Sequence, residues 1–298
     1  MKDYVLLLIA DALLAANFAF NKVYQRRAGT SFSAGFTFSA ICGAFTALLF
    51  WIYNGFKFSI TPFSVLIAVV RSLLCTAYLL IGFRIMKRQG VSLYTLFLMT
   101  GGMAVPYIFG ILFLNEAFSV MRLIGLLVII AGVVLSGFGK EKIDKLSMVL
   151  CVAVFFLNGG VSVASKIHSV NVVAAISPQE FVVLSGVVSC IVNIVLRLVI
   201  KDNDAVAHDT APVISKSNFL ITFMLIPVLT AIVGGASSVL QLTGAQTIDA
   251  SMLYPIITGG SIVLSTLTGW IIFREKLSRN IWIGIASAFV GTLFFIEF

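Results

Sequence analysis

From residue 4 onward the chain is a succession of apolar runs about 20 residues long, separated by short polar interruptions. A run of that length wound as a helix rises about 30 Å, the thickness of the hydrocarbon layer of a bilayer. Barrel strands would instead alternate apolar and polar residues over about ten positions. With 60% hydrophobic and 11% charged residues over 298 positions, an ordinary water-soluble surface is excluded. The expectation is therefore an all-α integral membrane protein. The first run ends at Lys22 without a small-residue cleavage site, which predicts a retained helix and not a removed signal peptide.

Breaking the chain at its charged and Pro/Gly/Ser-containing interruptions predicts ten transmembrane helices, near 4–22, 33–53, 64–86, 91–114, 121–138, 146–166, 179–200, 219–243, 249–272 and 280–297. The longest polar stretch, KDNDAVAHDTAPVISKSN from Lys201 to Asn218, reads as a surface loop, too short for a soluble domain. Of the 20 Lys and Arg, fifteen fall in the odd-numbered links, four on the opposite face, and Arg71 lies inside a span. Positive charge in short links sets orientation, so the odd links are expected in the cytoplasm and both termini outside, in a cell (plasma or inner) membrane. The basic balance thus points to the bilayer and away from nucleic acid. Cys42, Cys75, Cys151 and Cys190 fall within spans without CxxC spacing, so they read as packing residues, with no disulfide, metal site or cofactor expected.

The sequence also repeats itself. FLNEAFSVMRLIG (113–125) is echoed 159 positions later by IFREKLSRNIWIG (272–284), setting Glu116 on Glu275, Gly125 on Gly284 and Gly132 on Gly291. A shift of 158 sets Thr100-Gly101-Gly102 on Thr258-Gly259-Gly260, and a shift of 144 sets Lys22 on Lys166. The chain reads as two five-helix units, 1–140 and 146–298. Because five is odd, the second unit enters the membrane from the other side: the expected fold is two inverted five-helix repeats. Matching links carry opposite charge bias, as that inversion requires. Inverted repeats around an axis in the membrane plane are the architecture of alternating access, so a secondary transporter is the leading expectation.

ANFAFNK (16–22), GVSLYTLFLMTGG (90–102), AGVVLSG (131–137), ASMLYPIITGG (250–260) and VGTLFF (290–295), with the echoed Glu-containing links, resemble the repeated EamA unit of the drug/metabolite transporter (DMT) superfamily. The resemblance runs over essentially the whole chain and implies efflux or exchange of small organic molecules. The first helix also resembles that of small multidrug resistance proteins, whose carboxylate position falls nearer Leu14; here Asp11 stands one turn earlier.

Charges within spans are costly, which makes Asp11 and Arg71 the first candidates for substrate binding. Asp11 could exchange a proton, bind a cation or sit as a carboxylate near the interface; Arg71 could pair with Asp11, hold a substrate carboxylate or snorkel. Asn17 and Asn21 share one helix face, as do Asn158, Ser162 and Ser165, either lining a pocket or bonding between helices. Tyr94, Tyr107 and Tyr254 add aromatic walls. Such a pocket would suit an amphipathic or zwitterionic molecule. Glu116 and Glu275 read as link fixtures, Lys22 and Lys166 as helix-end gates or anchors, and His168 and His208 as loop residues outside any metal-ligand spacing. The expectation is a transporter of small organic metabolites or drugs, exporting and coupled to protons, acting as a monomer or homodimer. Uptake or exchange by the same fold, a passive channel and an intramembrane enzyme are the alternatives; no HExxH, GxSxG or Walker motif is present.

Overall fold

A computed structural model describes residues 2–29, 31–89, 91–137, 144–171, 173–200, 219–274 and 279–295. These residues form α1 (Lys2–Ala28), α2 (Phe32–Tyr53), α3 (Pro62–Gln89), α4 (Val91–Phe113), α5 (Val120–Gly137), α6 (Lys145–Val170), α7 (Pro178–Val199), α8 (Ile226–Thr247, entered through a π turn at Ile221–Leu225), α9 (Ala250–Ile271) and α10 (Arg279–Leu293). No strand occurs among the described residues. Eight helices are long and apolar enough to cross a membrane; α5 and α10 are shorter, at 18 and 15 residues. The protein is thus an all-α chain of membrane-spanning character, its outer faces carrying large apolar side chains such as Leu66, Leu198 and Ile271. Glu275, Lys276, Ser278, His208 and the stretch 201–218 lie outside the described residues.

The helix starts follow from local chemistry. Ser31 accepts from the Ala34 amide, Asp144 from that of Ser147, and Ser177 forms a capping box with Glu180 ahead of Pro178. α9 differs, because its N-cap Asp249 makes no side-chain cap bond. Its first amides are satisfied from another link, as described below.

Packing runs through small residues, since no hydrophobic drive separates helix from lipid. α2 lies along α7 and α5 along α10; α4 packs on α6 and α9, and α1 on α8 and α9. At the α2–α7 crossing, a Cβ on Gly43 would come 2.7 Å from the Gly186 carbonyl oxygen, and one on Gly186 would come 2.7 Å from that of Gly43. Only glycine permits that approach of two backbones. The α5–α10 crossing is built the same way, from Gly125 against Gly291 and Gly132 against Gly284. The largest apolar cluster joins Met103, Ile129, Leu253, Ala288 and Phe295, while a second joins Phe50, Phe181 and Leu242.

Candidate binding cavity and its polar tethers

Six helices enclose a cavity of about 210 Å³. α1 contributes Leu14 and Phe18, α3 Arg71 and Tyr78, and α4 Leu98, Met99 and Gly102. From the second half of the chain come Asn158, Ser162 and Ser165 of α6, Ser238 and Gln241 of α8, and Tyr254, Thr258 and Ser261 of α9. Its volume lies below the roughly 300–1,000 Å³ of sites for drug-sized ligands, so only a small molecule would fit. Asn158 is held by a 2.7 Å bond from Nδ2 to the Leu98 carbonyl, and Ser162 by a 3.2 Å bond from Oγ to that of Gly102. Gly102 allows this, because a Cβ there would meet Asn158 Nδ2 at 2.6 Å. The Tyr254 hydroxyl donates to the Ser162 carbonyl at 2.7 Å, tying α9 to α6 across the cavity.

Of the eight side chains singled out from sequence, Arg71, Asn158, Ser162 and Tyr254 line this cavity. The other four stand elsewhere. Asp11 is 1% exposed, its carboxylate pressed against Gly260 of α9, with no hydrogen-bond partner on either oxygen. Among the described residues it is therefore not an ion-pair partner of Arg71. Asn17 donates to the Thr230 carbonyl at 3.1 Å, joining α1 to α8, and Asn21 donates to Asn17 at 2.8 Å within α1. Tyr94 packs over Gly82 with Ile85, Cys151 and Val154. Tyr78, Gln241, Thr258 and Ser261 were not anticipated. Gln241 is the only amide of α8 besides Gln246, and it donates to Ser237 four residues earlier at 2.9 Å, a spacing visible in SSVLQ.

Beside the cavity stands a buried polar knot. The Glu116 carboxylate accepts from the Ala250 and Ser251 amides at 2.6 and 2.8 Å, capping α9 from the α4–α5 link. Lys166 Nζ lies 3.9 Å from Glu116 Oε1 and donates to the Ala245 and Ile248 carbonyls at the end of α8. Lys166 is thus a buried tether, 4% exposed, because α6 continues one turn beyond it. For the same reason His168 is not a loop residue: it lies in the last turn of α6, stacked on Phe181 at 3.6 Å, with Nε2 3.0 Å from the Ser64 hydroxyl. Asn115, just before Glu116, has φ 54°, and Arg274, its echo 159 positions on, has φ 51°. Both links end their helices with a left-handed residue, a conformation uncommon outside glycine.

A second cavity of about 200 Å³ lies between α2, α3 and α7, lined by Ser39, Ser72, Cys75, Thr76, Ser185, Ser189 and Asn193. Arg71 lines both cavities. No group of three or more metal-ligating side chains occurs among the described residues.

No protein-family model matches the chain, and no curated protein is significantly similar to it. A solved crystal structure matches over 99% of this chain and 98% of its own, with a TM-score of 0.73 at 16% sequence identity. At that identity the likeness is one of fold alone, and it extends from one end of the chain to the other.

Proposed function

We propose that this chain is a secondary active transporter of small organic metabolites or drugs, a ten-span protein of two inverted five-helix repeats that works by alternating access. The observation that carries this reading is the composition of the cavity wall. Its six helices are α1 with α6, α3 with α8 and α4 with α9, three pairs whose members stand five apart in the chain. Packing follows the same exchange: replacing each helix by the one five later converts α4–α6 into α9–α1, α3–α6 into α8–α1 and α2–α8 into α7–α3. The reciprocal glycine crossings and the matched left-handed Asn115 and Arg274 support the same relation. A cavity on the pseudo-symmetry axis can be reached from either side by rocking one half against the other.

The EamA-type resemblance supports this reading, and the charge distribution favours a cell membrane with both termini outside. Protons are the coupling ion we favour. Asp11 is a desolvated carboxylate one turn from Leu14 of the cavity wall, where binding a proton removes an unpaired buried charge. Export is the direction we favour, as exchange of outgoing substrate for protons entering down an inward gradient. On this reading the chain is not an enzyme.

The test is counterflow in proteoliposomes with and without an imposed pH gradient, across organic acids, amino acids, amines and nucleosides. Saturable exchange of one class, lost in Asp11→Asn only when the gradient drives it, is the expected result. Unsaturable flux would favour a channel, and no flux for any class would overturn the reading.

A further inference from the structure

We propose that Arg71 is an anion-binding residue shared by two stations of one path, the central cavity and the α2–α3–α7 chamber, and that the substrate is a small organic carboxylate with a hydroxyl or amide substituent. This deepens the transporter reading and rests on it for the movement between stations, though not for the binding.

The charge balance sets the substrate's sign. Arg71 is the one charged side chain in the wall of either cavity; no Asp or Glu among the described residues lines them. No carboxylate among the described residues pairs with Arg71, and its Nε is buried without a hydrogen-bond partner. Asp11, the acidic group nearest in helical register to the cavity wall, faces Gly260 instead. A cation inside a membrane-spanning helix without a counter-ion leaves that role to the ligand. An ammonium group would find no carboxylate among the described lining residues, so a net anion fits this wall better than a zwitterion. The planar guanidinium fork suits a carboxylate.

The second chamber is polar beyond what helix packing needs. Ser39, Ser72, Thr76, Ser185, Ser189 and Asn193 converge on it from three helices. Thr76 and Asn193 donate to carbonyls within their own helices, but the buried Ser185 hydroxyl has no partner. A buried donor beside a half-buried cation awaits an acceptor. The central cavity differs in offering Phe18, Tyr78 and Tyr254 beside Asn158 and Gln241, which fits the body and the polar substituent of the molecule. At the repeat-related position the lining differs: where α7 carries Asn193, α2 carries Phe50, packed against Gly235 of α8.

The experiment uses the full chain in nanodiscs, with 4-hydroxybenzoate, its amide and 4-hydroxybenzylamine, and with lactate and lactamide, as probes of thermal stability and counterflow. The carboxylates should raise the unfolding midpoint by at least about 3 °C and the amides and amine should not. Arg71→Gln should weaken carboxylate binding at least about tenfold, and Arg71→Lys, which keeps the charge without the fork, should weaken it less. Asn193→Leu, which fills the second chamber, should exchange at least about tenfold more slowly. Each variant is scored only with a wild-type elution profile, and Arg71→Lys carries the test if Arg71→Gln fails to fold. Equal binding of amides and carboxylates, or carboxylate binding that survives loss of Arg71, would overturn the site. Unchanged exchange in Asn193→Leu would overturn the second station. Arg71-dependent binding without counterflow would overturn the transporter reading and leave the site standing, whereas counterflow of amines alone would do the reverse.

Discussion

The two ends of the helix bundle are held differently. Where the even-numbered links gather, the contacts are short hydrogen bonds between segments far apart in sequence. Glu116 caps α9, Lys166 holds the end of α8, Thr61 donates to the Ala174 carbonyl at 2.6 Å, Ser59 donates to Glu180 at 2.7 Å, and Ser64 donates from its buried position or accepts, bridging His168 and the Ile176 amide. Where the odd-numbered links lie, the described contacts between α1 and the end of α9 include cations over a ring: Lys22 and Arg26 stand over the Phe273 ring at 5.0 and 4.7 Å. Directional bonds to buried backbone groups define one arrangement and resist sliding, whereas a cation over a ring tolerates it. On the proposed transporter reading, the even-link bonds act as a latch that would have to release and reform for the cavity to open on that side.

Glu116→Ala should have the largest effect on this contrast. It uncaps α9 and leaves Lys166 without its counter-charge, a loss on the order of 3 kcal/mol for a buried pair. The unfolding midpoint should fall sharply, and a thiol introduced at Ser251 should become reactive; a protected thiol would mean the latch is redundant. His168→Ala is expected next, at about 2 kcal/mol, since it removes both the stack on Phe181 and the Ser64 contact, and it is read by denaturation in detergent. Arg122→Ala should cost about 1 kcal/mol or less, because its Asp249 partner at 3.6 Å is half exposed and solvent screens the pair. Lys22→Ala, on the opposite end, should cost about 0.5 kcal/mol. If Lys22→Ala proved as damaging as Glu116→Ala, the contrast between the two ends would be wrong.

Much of the architecture is written in the residues because lipid imposes a strong constraint: each apolar run must be helical, and each interruption must lie near an interface. The echo of FLNEAF in IFREKL likewise survives as matching left-handed residues at Asn115 and Arg274. Side-chain direction is much less legible. A helix that is apolar all round has no polar stripe to mark its inner face, so Asn17 and Asn158 look alike in sequence, yet one reaches Thr230 and the other lines the cavity. Asp11 attracted attention by its charge, but its place against Gly260 depends on how α1 crosses α9, a long-range fact. Glu116 shows the same limit. Its repetition marked it as a link residue, and nothing local announces that it caps a helix 134 positions away.

The most direct test of the account is to lock the even-link end. In a background lacking Cys42, Cys75, Cys151 and Cys190, cysteines at Thr61 and Ala174, which are hydrogen-bonded across that end, would be joined by a short reducible thiol linker in proteoliposomes. The account predicts that linked protein still binds ligand but that exchange stops, and that reduction restores it. Exchange at the unlinked rate with the linker in place would contradict it.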